Sequence, residues 1–529
     1  MSVRCTIRRC GVLFAICLLA FGSTGRSCEN GTGSDDGRSV PVPFSGRSCE
    51  NGTGSDHGRS VPVPFSWAVA SADHDAAATQ GPAERRDPDW PAVRDEAVRM
   101  LSEMVRIDTS NPPGRETKAA QYIKDILNRE GIAAQVLELE VGRGNLIARL
   151  PGNGSKRPLL LMGHTDVVGV ERKQWTVDPF GGIVKDGYVY GRGASDNKGN
   201  VAAYLEVFLL LHRLKLPLER DVIFLAQAGE EGTSSVGMRF LVTKHWDKIA
   251  CEFALDEGGV TFAREGRVQF VGIATTEKVV RTIRLIARGQ PGHGSVPRPD
   301  NAITHLAAAV AKVGTFQMPM RLNDTTRTFF ERLARISPPA EASLYAQLES
   351  LGRSIGAPGK VEARNLLLDS MLRTSLSPTI IQGGFRTNVI PGVAEATIDV
   401  RALPGEDIDA LVATVRKLID DPVVEVIGPS GGRSLLPPSR TDSAMFRALE
   451  RAQAAVFPGA ITVPVLLSGA TDMTPLRARG VQAYGLGNVA TMDDVGRVHG
   501  NDERASVEGL GKLVELVYRA VSEVAVGGS

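Results

Sequence analysis

Apolar residues recur at helical spacing over Trp90–Val105 and again over residues 117–130, where Gly131 ends the run. Ser110-Asn111-Pro112-Pro113-Gly114 breaks the pattern between them. Short apolar runs then predict strands over 134–139, 145–150, 159–162, 221–226 and 253–255, with helices over 201–214 and 235–244. Strands that alternate with helices predict an α/β domain on a mainly parallel sheet. In such sheets the functional residues collect just past the carboxyl ends of the strands.

From Lys278 onward the pattern changes. Val279–Arg288 alternates like a strand with one wet face, 301–313 is helical, and strand signals follow over 379–383 and 394–400. A helix at Ile408–Ile419 and a strand over 423–426 complete a strand-helix-strand-strand-helix-strand order, which suits a ferredoxin-like α+β unit. Residues 316–375 are an extra helical stretch within it. The α/β pattern returns over 443–524. The expected organisation is therefore an α/β domain in two parts, 85–277 and 436–529, interrupted by a smaller domain over 278–435.

The first 84 residues belong to neither. Arg4, Arg8 and Arg9 precede an apolar run from Gly11 to Phe21 and then Gly22-Ser23-Thr24-Gly25, the order of a secretory signal peptide over residues 1–24. Residues 25–45 are repeated over 46–66 with one change, Asp36 to His57. This Gly-, Ser- and Asp-rich stretch has too little apolar surface to order itself and reads as a disordered leader over 25–84. Cys28 and Cys49 hold equivalent places in the repeat and could pair after export, whereas Cys251 reads as a buried apolar residue. The expected location is secreted or periplasmic. The length of 529 residues calls for more than one core, and a net charge of +1 gives no electrostatic case for nucleic acid. Beyond the N-terminus no run approaches the roughly 20 apolar residues of a membrane span.

Chemistry concentrates at strand ends. His164 and Asp166 follow the apolar run over 159–162, and Asp196 closes the glycine-rich turn Gly191-Arg192-Gly193-Ala194-Ser195. An imidazole and a carboxylate beside glycines suit a divalent cation. Asp166 is placed to accept from the second nitrogen of His164, and the Asp196 carboxylate can bridge two cations. Glu230 and Glu231 are adjacent after another strand, so one can bind metal while the other stays free as a base. Asp256 is a further strand-end carboxylate, and His499 supplies a distant second imidazole.

Together these segments, GHTDVV, GRGASDNKG, AGEEG, LDEGG, GHGS, NVIPG and HGNDER, resemble the M20 metallopeptidases over about residues 90–525, and most of all the branch of carboxypeptidase S and the N-acyl amino acid hydrolases. The separations agree: 32 residues from His164 to Asp196, 34 from Asp196 to Glu230 and 25 from Glu231 to Asp256. The resemblance implies a di-zinc catalytic domain carrying an inserted lid and dimerisation domain. Asp196 would bridge two Zn2+, with Co2+ or Mn2+ as substitutes. His164 and Asp256 would serve one ion, and Glu231 and His499 the other. Glu257, beside Asp256, is the alternative ligand. Glu230 would be the general base, Asp166 the residue that orients His164, and the Asp196-Asn197 peptide cis. His293 would stabilise an oxyanion, and Asn388, Arg401 and Thr471 would contact the substrate.

The implied reaction is cleavage of an amide next to a carboxylate-bearing amino acid, as in a carboxypeptidase. The alternative on the same site is an aminoacylase acting on N-acyl amino acids, and a more distant one is a binding protein of the same fold that has lost catalysis. The substrate would be a small peptide or an N-acyl amino acid, and the partner a second copy joined through the lid.

Overall fold

The computed structural model describes residues 87–352, 366–429 and 436–527. The signal peptide, the repeat and the Cys28–Cys49 pairing lie outside the described residues. The larger sheet has ten strands. Its centre is parallel: Val222–Gln227, Leu159–His164, Phe253–Asp256 and Gln482–Gly485 lie side by side. Antiparallel strands flank this centre. Gly144–Leu150 and Ala134–Glu138 lie on one side, and Arg267–Glu277 and Val260–Arg264 on the other.

Side chains alternate across each strand, so the sheet feeds two cores. Leu159, Leu161, Phe224 and Leu255 point to one, under the helices Trp90–Val105, Lys198–Arg213, Ala444–Val456 and Val507–Ala525. Leu160, Met162, Leu225 and Ala254 point to the other, under Met238–Lys244 and Met473–Arg477. Lys198–Arg213 is apolar around nearly its whole circumference and is buried from Lys198 to Leu211, as a helix walled in on all sides must be. Its first turn follows the Asp196 loop, so a helix buried from Lys198 to Leu211 anchors a candidate ligand.

The second sheet orders its strands Ser375–Gly383, Val393–Ala402, Val279–Arg288 and Val424–Ile427, all antiparallel. Numbered along the chain this is 2-3-1-4, the ferredoxin-like arrangement. Ala302–Thr315 and Ile408–Ile419 cover one face through Leu306, Val313, Leu411 and Val415. The extra helices Asp324–Ala334, Pro339–Gly352 and Leu366–Leu372 do not extend this unit. Phe329, Phe330, Leu348 and Leu372 pack instead on Val463, Val465 and Leu466 of the strand Ile461–Leu467, which belongs to the larger sheet. No helix among the described residues is long and apolar enough to cross a membrane.

Candidate metal centre

Three neighbouring parallel strands end at the same edge of the larger sheet, and each delivers chemistry there. His164 is the last residue of its strand and pairs in register with Gln227, the last residue of the next. Glu230 and Glu231 follow Gln227 by one tight turn. Asp256 ends the third strand and Glu257 follows it. Asp196 arrives on the loop before Lys198–Arg213, and the Asp196–Asn197 peptide is cis. His499 arrives from the far end of the sequence with a left-handed φ of +60°, unusual for a residue with a β-carbon.

These side chains form two groups of three that share Asp196. His164 Nε2 lies 3.0 Å from Asp196 Oδ1 and 3.4 Å from Glu257 Oε1. His499 Nε2 lies 3.1 Å from Asp196 Oδ2 and 3.0 Å from Glu231 Oε1. Asp196 thus presents one oxygen to each imidazole. Ligand atoms around a tetrahedral zinc with bonds of 2.0–2.1 Å are about 3.3 Å apart. The spacing in both groups therefore fits a pair of cations bridged by one carboxylate.

Asp256, expected beside His164, does not join the group. Glu257, the first residue past the strand, is the one whose carboxylate faces His164. Burial, and then the neighbouring Glu257 and Asp472 carboxylates, push the Asp256 carboxyl well above the usual range. Glu257 lies beside His164 and Asp196 instead.

Asp166 is as buried as any ligand and does more than orient a ring. His164 Nδ1 sits 2.9 Å from the main-chain oxygen of Asp166 and 3.5 Å from its carboxylate, which leaves Nε2 facing the cluster. The same carboxylate accepts the backbone N–H groups of Glu230 at 3.1 Å and Glu231 at 3.0 Å, and the side-chain amide of Asn111 at 2.8 Å. One anion therefore fixes the turn that carries a ligand and its neighbour. Burial opposes charge on His164, but Glu257, Asp166 and Asp196 carry its pKa well above the ordinary imidazole value. Hydrogen bonds donated to the Asp196 and Glu231 carboxylates raise His499 to about 10. Burial, reinforced by Glu257, raises Glu230 well above the ordinary carboxyl value, and burial brings Glu257 itself to about 7. The edge of the sheet is a pocket of negative charge that draws cations, as protons or as metal.

The remaining expected residues lie elsewhere. His293 is exposed, bonded through Nδ1 to Ser295 Oγ at 2.7 Å, and its strand Gly292–His293 pairs with Val389–Ile390, which brings it beside Asn388. Arg401 donates to Asp399 at 2.8 Å on its own strand. The Thr471 hydroxyl donates to Glu277 at 2.5 Å within a buried polar group that also includes Thr474 and Arg477. None of these contacts reaches the two cation groups. Asn111 and Glu503, by contrast, are buried supports of the site that the sequence reading did not single out. Asn111 lay in a segment read only as a helix breaker, and Glu503 in a motif read only for its histidine.

The model of peptidase family M20/M25/M40 matches residues 160–523, more than half of the chain. The chain belongs to peptidase family M20. Among its relatives, a probable carboxypeptidase S-like 2 of Dictyostelium discoideum is 31% identical over 69% of this chain and 72% of its own length. The human N-fatty-acyl-amino acid synthase/hydrolase PM20D1 is 30% identical over 69% of this chain and 74% of its own. Among solved structures, the M20 family metallo-carboxypeptidase Sso-CP2 of Sulfolobus solfataricus superposes with a TM-score of 0.62 at 19% identity, covering 81% of this chain and all of that one. Human carnosine dipeptidase 1 gives the same TM-score over 82% of this chain and 97% of its own. This M20 chain is thus a metallopeptidase or amidohydrolase by family, and a catalytic domain with a lid is the architecture of its structural neighbours.

Proposed function

We propose that this M20 enzyme is a di-zinc hydrolase that cleaves the amide bond next to a carboxylate-bearing amino acid. The observation that carries the proposal is the division of Asp196 between His164 and His499, with Glu257 and Glu231 completing the two sets. Two zinc ions there would supply Lewis acidity and lower the pKa of water. Glu230 is the proton carrier. It adjoins the ligand Glu231, its backbone is pinned by Asp166, and its raised pKa suits a group that takes a proton from the nucleophile and returns it to the departing nitrogen. Asp166 acts by holding His164 and the Glu230–Glu231 turn in place. His293 and Asn388, brought together by the short pairing of Gly292–His293 with Val389–Ile390, are the candidates for meeting the substrate's polarised carbonyl from the lid.

The relatives' names support two substrate classes, a peptide with a free carboxyl end and an N-acyl amino acid. The carboxypeptidase-type reaction is the primary reading. Arg401 serves the substrate carboxylate only if it exchanges Asp399 for it, and Thr471 only if its hydroxyl leaves Glu277. The edge strand Ser375–Gly383 leaves Ile380 and Ile381 half exposed, which supports a homodimer formed through this sheet. The basic and apolar N-terminus supports export.

Metal content and turnover together test the reading. Purified protein should hold about two zinc ions per chain and hydrolyse members of a panel of blocked dipeptides, N-acetyl amino acids and long-chain N-acyl amino acids. A folded protein that binds no zinc or cobalt and turns over none of them would point to a non-catalytic binding protein.

A further inference from the structure

Glu503 lies four positions after His499 and is completely buried, yet it belongs to neither cation group. Its carboxylate is saturated by donors from the loop that carries Asp196. Oε1 accepts the backbone N–H groups of Ser195 at 2.9 Å and Asp196 at 3.0 Å. Oε2 accepts the Arg192 guanidinium at 2.6 Å and the Gly193 N–H at 3.2 Å. The main-chain oxygen of Glu503 accepts from Gly191 at 2.9 Å. The other arm of Arg192 donates to the Gly500 carbonyl, beside His499, at 2.8 Å.

Buried backbone N–H groups need acceptors, and a carboxylate has about four acceptor positions to give. Four donors on one carboxylate therefore leave it nothing to offer a cation. What it does offer is a fixed position for the Asp196 backbone, tied through Arg192 to the turn that presents His499. We infer that Glu503 is a positioning residue of the metal centre, setting the bridging carboxylate and the second imidazole in register before any cation arrives. This inference rests on the two-metal reading above. A ligand set held in place by its surroundings binds metal without first being ordered, and supporting groups of this kind change metal affinity by about 10- to 100-fold.

The test uses the full chain stripped of metal, titrated with Co2+ by visible absorption and with Zn2+ against a chromophoric chelator. Glu503→Gln keeps the side chain's volume but turns an amide NH2 toward backbone donors. With far-UV circular dichroism unchanged, it should bind both ions at least about tenfold more weakly and alter the Co2+ spectrum. Should that variant fail to fold, Arg192→Met decides, because it leaves the backbone contacts of Glu503 intact while cutting the link to Gly500. A Co2+ affinity within twofold of wild type and an unchanged spectrum in the folded variant overturn the inference, even if its melting temperature falls. A wild-type chain that takes up neither ion overturns the two-metal reading and this inference with it. Wild-type uptake of two ions alongside unaffected variants overturns this inference alone.

Discussion

Glu257 Oε1 stands 3.4 Å from His164 Nε2, and this contact favours Glu257 over the adjacent Asp256 as the acid to serve the proposed first cation. Asp256, one residue earlier, is buried outside both cation groups, where burial and the Glu257 and Asp472 carboxylates push its carboxyl above the usual range. Glu257→Ala should therefore cost more metal affinity than the roughly 10- to 100-fold typical of a lost supporting group, and activity should fall with it. Asp256→Asn should leave zinc content at the wild-type level, since Asp256 stands outside both cation groups. Metal analysis after dialysis separates the two. Loss of zinc from the Asn variant but not from the Ala variant would restore Asp256 as the ligand.

That the sequence pointed to Asp256 first shows where sequence reading stops. Apolar periodicity placed Trp90–Val105, Ile408–Ile419 and the central parallel strands, because each repeats one physical pattern over a whole element. His164, Asp196, Glu231 and His499, which the structure brings together, stand out in the sequence because imidazoles and carboxylates beside glycines at strand ends are chemically conspicuous. The choice between neighbouring acids depends on which way a strand's last side chain turns, and two adjacent letters do not encode that. Nor did the pattern show that Phe329 and its neighbours serve the larger sheet. Their helices are amphipathic whichever surface they cover. The strand Arg267–Glu277, which pairs with three others among the described residues, does not stand out in the sequence; its apolar run is interrupted by Gln269, Gly272, Thr275 and Thr276.

Glu230 is not in either cation group, and its distinguishing feature is a raised pKa beside a ligand. Glu230→Gln preserves shape and removes the ability to carry a proton. Zinc content should stay at the wild-type level and KM should change little, while kcat falls by about 10²- to 10⁴-fold. Steady-state kinetics with metal analysis on the same preparation checks this. A Gln variant with near-normal kcat would remove Glu230 from the mechanism.

The helical insertion is held to the larger sheet by an aromatic chain. Phe329 is buried, with its ring edge-on to Phe270 at 6.2 Å and to Phe330 at 5.0 Å. Truncating a buried phenylalanine costs about 3–5 kcal/mol. Phe329→Ala should therefore lower the urea midpoint and expose the segment between Asp324–Ala334 and Pro339–Gly352 to limited proteolysis. Zinc binding should be preserved, because no ligand candidate touches this cluster. Cleavage at the wild-type rate would show that the insertion does not depend on this contact.

Glu206 supplies a pH signal away from the metal centre. It lies within the buried helix Lys198–Arg213, and neither carboxylate oxygen has a hydrogen-bond partner among the described residues. The nearest cation, Arg213, is 3.9 Å away and is already engaged by Glu96 and Glu130. Burial, reinforced by Glu96, raises Glu206 to about 8 from an ordinary value near 4.5. The sign follows from linkage. Below pH 4.5 the group is protonated in folded and unfolded chains alike, and its full contribution to stability is present. As pH climbs toward 8 the unfolded chain ionises and the folded one does not, so stability drains away, by an amount on the order of a few kcal/mol by pH 9. Glu206→Gln has no proton to lose. Its melting temperature should therefore gain on the wild type steadily from pH 5 to pH 9. Differential scanning calorimetry of metal-loaded protein across that range measures the gap, and parallel curves would show that Glu206 reaches solvent or a partner when it ionises.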